Sequence, residues 1–206
     1  MALTAVLALA GCGTDSQPNR APSPATAPPT SAAPATTAAP TTPPIPVYQP
    51  ATANGPAQNV PVPVLPAKAK EFSKAGLEAF ATYWYSTLGY VYETGDSKPM
   101  MEVTDANCGT CKNINDPVGK WYQPGGWIVG GRMTVHSTTT SFVKAPDGMY
   151  QVVLMTQQSP PSFYNPDKSL RTANPASPAQ ADILMAAYKN GRWTAYTIEK
   201  LTGPAS

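Results

Sequence analysis

Between Pro66 and Glu93 the apolar positions fall at spacings of three and four. Leu77, Phe80, Trp84, Leu88 and Val91 make one stripe of a helix, widened on both flanks by Tyr83, Tyr85, Tyr90 and Tyr92. Pro66 suits a first helical position and Gly95 a left-handed stop, so a long helix is expected over 66–93. From Lys98 to Tyr122 the pattern breaks into one or two short helical pieces. Beyond Gly125-Gly126 the period becomes two. Trp127-Ile128-Val129 leads past Gly130-Gly131 into a Thr-rich strand over 132–144; Ala145-Pro146-Asp147-Gly148 turns the chain, and 149–157 returns as a second strand. Asn190-Gly191 predicts a type I′ hairpin joining 182–189 to 192–201, with Tyr188 opposite Trp193, Met185 opposite Tyr196 and Ile183 opposite Ile198. Between the hairpins, 159–179 is rich in Pro, Ser and Asn. It reads as a surface loop or a binding flap that carries Phe163, Tyr164 and Arg171. Helices first and antiparallel strands afterwards is an α+β order. The expected domain has a long N-terminal helix and short helices packed on a curved antiparallel sheet of about four strands.

Ahead of residue 65 neither period holds. Ala2 to Ala10 is an apolar run too short to span a bilayer, which takes about 20 residues, and it ends in Leu9-Ala10-Gly11-Cys12. Small residues before an obligatory cysteine are what a lipoprotein signal requires: they let the peptide bond enter a membrane-embedded peptidase, and the Cys12 thiol takes the diacylglyceryl group. Residues 1–12 are therefore expected to be a signal peptide with a lipidated cysteine, which fixes the chain to the outer side of the cell membrane. No Lys or Arg precedes the apolar run, so the true translation start is expected upstream. Most of the chain's 25 prolines fall before residue 67, mixed with Ala, Thr and Ser and with little charge. Such a segment cannot offset its ordering entropy by burial, so 13–64 is expected to be a disordered linker and 65–206 a single domain.

Composition narrows the partners. The formal net charge is only +2, and no basic stripe interleaved with aromatics occurs, which argues against nucleic acid. With Cys12 given to lipid, Cys108 and Cys111 remain as an even pair in an oxidising compartment. Cys-Gly-Thr-Cys can close a disulfide within one turn, with Asn107 as a candidate helix cap. A structural clip is the simpler reading, and a redox dithiol at a helix N-terminus is the alternative. A metal is not expected, because His136 is the single histidine. No nucleotide fingerprint or phosphate loop occurs, so no cofactor is expected and no catalytic residue is assigned. His136 sits mid-strand without a nucleophile, and Asp105, Asp116 and Asp182 lie near element ends, where capping or solvation accounts for them. The residues offered for a pocket or interaction are Trp84, Tyr83, Trp127, His136 and Tyr196.

The stretch 65–111 carries Leu-Pro-x-x-x-Lys, Gly76-Leu-Glu-Ala-Phe80, Tyr83-Trp84-Tyr85, Tyr92-Glu-Thr-Gly-Asp96 and Cys108-x-x-Cys111. In these motifs the chain resembles an uncharacterised family of actinobacterial lipoproteins, defined as a domain of unknown function. That resemblance implies no activity and transfers no site residue. The element order is also similar to the cone-shaped fold of nuclear transport factor two and ketosteroid isomerase, which implies a pocket between helix and sheet and homodimers formed through the sheet. The reading that follows is a lipid-anchored envelope protein with a non-catalytic role, binding a small apolar ligand or another envelope protein. Its alternatives are a small cone-fold enzyme acting on an apolar molecule and a thiol–disulfide protein using Cys108 and Cys111.

Overall fold

The computed structural model describes residues 46–201. Cys12, and the linker as far as residue 45, lie outside the described residues. The domain is mixed α/β, with three helices and two antiparallel sheets of four and three strands.

Helix α1 spans Lys74–Thr94. The expected start at Pro66 is corrected: Ala67–Lys70 forms a 3-10 turn, and Ser73 caps the helix by accepting from the Gly76 N–H at 3.0 Å. An N-cap of this kind contributes about 1 kcal/mol. The preceding chain folds back so closely that a Cβ on residue 76 would lie 2.2 Å from the Glu71 carbonyl oxygen. At the other end Gly95 adopts φ 75°, and its N–H closes on the Val91 carbonyl. Two helical pieces follow, α2 (Lys98–Met101) and α3 (Gly109–Tyr122). Asn107 does not cap α3. Cys108 does, its sulfur accepting from the Cys111 N–H at 3.2 Å while bridged to the Cys111 sulfur, with the two Cα atoms 5.3 Å apart.

The larger sheet is β2 (Met133–Thr139), β3 (Tyr150–Gln158), β6 (Gln180–Lys189) and β7 (Arg192–Lys200), hydrogen-bonded in the order β2-β3-β6-β7. Asn190 and Gly191 both hold positive φ, as the type I′ turn demands. Tyr188 faces Trp193, but the expected pairs beyond it slip by one residue. Tyr196 bulges out of β7, so Met185 meets Thr197 and Leu184 meets Ile198. A second bulge in β2 falls at His136. That strand ends at Thr139 rather than 144, before a turn in which Phe142 is held at φ 56°.

The smaller sheet replaces the expected free loop over 159–179. Strands β4 (Ser162–Tyr164) and β5 (Leu170–Ala173) form a hairpin that pairs with β1 (Trp127–Val129). Trp127 stacks on Tyr164 with ring centroids 5.4 Å apart. Gly130 and Gly131, both at positive φ, separate β1 from β2.

The core lies between α1 and the larger sheet, where Leu77, Phe80, Trp84, Val152, Leu184 and Trp193 are fully buried. The last part of the expected linker, from residue 46, lies among the described residues. Residues 46–64 form an ordered arm, with bridges Gln49–Gln58 and Thr52–Gly55. It is tied to the domain by Trp127, whose indole N–H donates to the Thr52 carbonyl at 2.8 Å. The Tyr48 hydroxyl also donates to Glu93.

Candidate functional site

The inward-facing residues of β6 are Asp182, Leu184 and Ala186, and those of β3 are Tyr150, Val152, Leu154 and Thr156. Strand alternation thus carries a carboxylate and a hydroxyl onto the same face as the core, where the apolar run ends. Asp182 is only 4% exposed. Its Oδ2 accepts from the Thr156 hydroxyl at 2.6 Å and, across the helix–sheet interface, from the Tyr85 hydroxyl at 2.8 Å. Burial, and then the Asp182 charge and hydrogen bond, raise the Tyr85 phenol well above its ordinary range, so it stays a donor at any physiological pH.

Tyr85 and Asp182 form part of one wall of a cavity of about 280 Å³ between α1, α3 and the larger sheet. Leu88, Ile114, Met133 and Ile198 supply apolar lining, and Gln158, Ser177, Gln180 and Lys200 add polar groups. Among the described residues, no hydrogen bond falls on the second Asp182 oxygen, Oδ1. The one buried side-chain polar atom there without a partner is Asn115 Oδ1, so Asp182 Oδ1 is reached from the cavity. A carboxylate accepts at two oxygens, and here one is committed to the fold and the other faces the cavity.

A larger groove, about 570 Å³, runs between the arm and α1. Tyr48, Glu93 and Arg132 meet within it. Glu93, 7% exposed and on the last turn of α1, where the helix dipole disfavours an acid, accepts from Tyr48 and lies 3.9 Å from Arg132 Nε. Burial first, then Glu93, raise the Tyr48 phenol. The groove is therefore a seat for the arm, whereas the smaller cavity keeps an acceptor to offer.

The sequence-predicted site residues serve separate parts of the fold. Trp84 lies in the core, its indole N–H donating to Thr104 Oγ1 at 2.9 Å. Tyr83 lines a groove beside Leu65, Glu102 and Arg192. Trp127 anchors the arm. His136, exposed at its bulge, is hydrogen-bonded to Gln157 Oε1 at 3.2 Å. Tyr196 is half-buried, with the Lys189 ammonium 5.2 Å from its ring centroid. Asp182 was the residue missed. Its signal was the phase of β6, since counting back by twos from Leu184 puts residue 182 on the buried face.

A protein-family model described as a family of unknown function (DUF6318) matches residues 46–199. No curated protein matches the chain. Among solved structures, the intermembrane space region of chloroplast protein ARC6 is 13% identical with a TM-score of 0.41, over 64% of this chain and 98% of that one. Aln2 from a Streptomyces species is 11% identical with a TM-score of 0.32, over 58% of this chain and 87% of that one.

Proposed function

We propose, from the premise that this chain belongs to the DUF6318 family of unknown function, that it is a lipid-anchored cell-envelope protein whose helix–sheet cavity binds a small molecule without transforming it. The anchor rests on Leu9-Ala10-Gly11-Cys12 and on the Pro-rich chain that follows. In this reading the attachment is by acyl chains on Cys12, two of which hold a protein stably; among the described residues no helix is long and apolar enough to cross a membrane. In this reading α1 is the long helix of a cone-like fold, and the sheet face it covers is the inside of the cone.

The observation that carries the binding role is a carboxylate 4% exposed that lines a cavity with an apolar wall and takes both of its hydrogen bonds on one oxygen. The fold uses only one of the two carboxylate oxygens, so a binding role gives the second acceptor a use that a purely structural role does not. The test is native mass spectrometry of the full chain, purified from a host envelope in mild detergent. A reproducible excess mass beyond the acyl groups is the expected result, and a bare acylated mass overturns the binding role. Loss of membrane retention in Cys12→Ser is the parallel result expected for the anchor; retention of that variant refutes it.

Asp182 also favours a second reading, a small enzyme with this carboxylate as general base. It predicts turnover of the bound molecule that Asp182→Asn abolishes. The thiol–disulfide reading has less support, since Cys108 and Cys111 are both buried in the core.

A further inference from the structure

We infer that the cavity takes a small aliphatic ammonium ion, with its nitrogen donating to Asp182 Oδ1 and its carbon chain lying along the wall formed by Leu88, Ile114, Met133 and Ile198. The inference rests on the binding role proposed above and adds the chemical class of the ligand.

The charge balance of the site leads to it. Both protein hydroxyls in reach of Asp182, those of Tyr85 and Thr156, donate to Oδ2. Oδ1 faces a space that holds about nine water-sized groups at ~30 Å³ each. A carboxylate there offers a ligand only acceptance, and the donors that meet a buried carboxylate best are charged ones, whose hydrogen bonds are roughly twice as strong as neutral ones. A neutral apolar molecule would cover Oδ1 and leave it unpaired. An anion would meet like charge.

Lys200 is the nearest competing cation. It pairs with Asp182 across β6 and β7 and lines the same cavity. Among the described residues, however, it makes no ion pair with Asp182: the salt bridges there join Lys68 to Glu71 and Arg132 to Glu93. Lys200 is exposed at the end of its strand, so its ammonium stays in water while its stem borders the cavity. Gln158 donates to the Gly131 carbonyl at 3.1 Å and is not turned onto Asp182. The rest of the lining is uncharged: Ser177 and Gln180 add polar groups, and the apolar wall suits an alkyl chain and not a second charge.

The experiment is a calorimetric titration of the full chain in detergent with hexylamine, hexanol and hexanoate, which share a chain length and differ in the head group. The expected order places hexylamine at least roughly tenfold tighter than hexanol, with hexanoate not binding. Asp182→Asn should reduce the amine preference to about twofold, and Lys200→Ala should leave it intact. Equal affinity for hexylamine and hexanol overturns the ammonium assignment while the binding role stands on its excess mass. Preference for hexanoate also overturns it and points to Lys200. Binding of none of the three overturns it too, and the native mass then decides the binding role separately. The wild-type order is itself decisive, so a failure of Asp182→Asn to fold does not protect the inference.

Discussion

Replacing Tyr85 with Phe deletes a single oxygen from a fully buried ring. The ring's packing against Trp84, with centroids 5.3 Å apart, is kept, and only the 2.8 Å bond to Asp182 is lost. A hydrogen bond to a charged group is worth about 1.5–3 kcal/mol net, so Tyr85→Phe should destabilise the domain by about 2 kcal/mol. In a domain of this size that lowers the melting midpoint by about 4–8 °C. The informative step is to repeat the change in an Asp182→Leu background. There the carboxylate is gone and the Tyr85 hydroxyl is a buried donor without its acceptor, so deleting it should be neutral or stabilising. The assay is urea unfolding of the four proteins of the cycle, followed by circular dichroism, with unchanged slopes as the check on two-state behaviour. An equal cost of Tyr85→Phe in both backgrounds would refute the reasoning, because the hydroxyl would then owe its value to something other than Asp182.

Gly95→Ala should lower stability by more than about 1 kcal/mol, since φ is 75° and the added Cβ would lie 2.4 Å from Tyr122 Cγ; a melting temperature within about 1 °C of wild type would contradict this. Burial raises the Tyr122 phenol to about 12 from the ordinary 10.0; Glu93 adds to the shift, and a hydrogen bond with the Ile128 backbone opposes it. Its folded value lies above the unfolded one, so its contribution is whole below about pH 10 and is lost as pH rises towards about 12. Urea unfolding across that range should show stability falling, and Tyr122→Phe should flatten the fall. Trp127→Phe removes the 2.8 Å bond to the Thr52 carbonyl. Limited proteolysis should then cut the arm over 46–59 several-fold faster, while overall stability drops by only about 1 kcal/mol.

The larger sheet was legible because its signals are local. Asn190-Gly191 sets the hairpin, and alternation marks each strand. Local signals fail where a distant element decides. Nothing near Tyr196 marks it as the bulge, so the register beyond Ala186 slipped by one. Residues 162–173 look like loop on composition, and become strands because Tyr164 finds Trp127 more than thirty residues earlier to stack on. The arm reads as linker for the same reason, since Tyr48 and Thr52 gain partners only from α1 and β1. Ser73 is a local signal for the start of α1, and it lies seven residues beyond Pro66. At the site, aromatic residues drew attention that belongs to the core, and Asp182 was discounted for its place near a strand end, although its phase with Leu184 was visible.

The most direct test of the account is methyl NMR of the full chain, with Ile, Leu and Met labelled, titrated with a small-molecule extract of the host envelope. The account predicts shifts confined to Leu88, Ile114, Met133 and Ile198, and their loss in Asp182→Leu. Shifts that appear instead at Leu65, or no shifts at all, would contradict it.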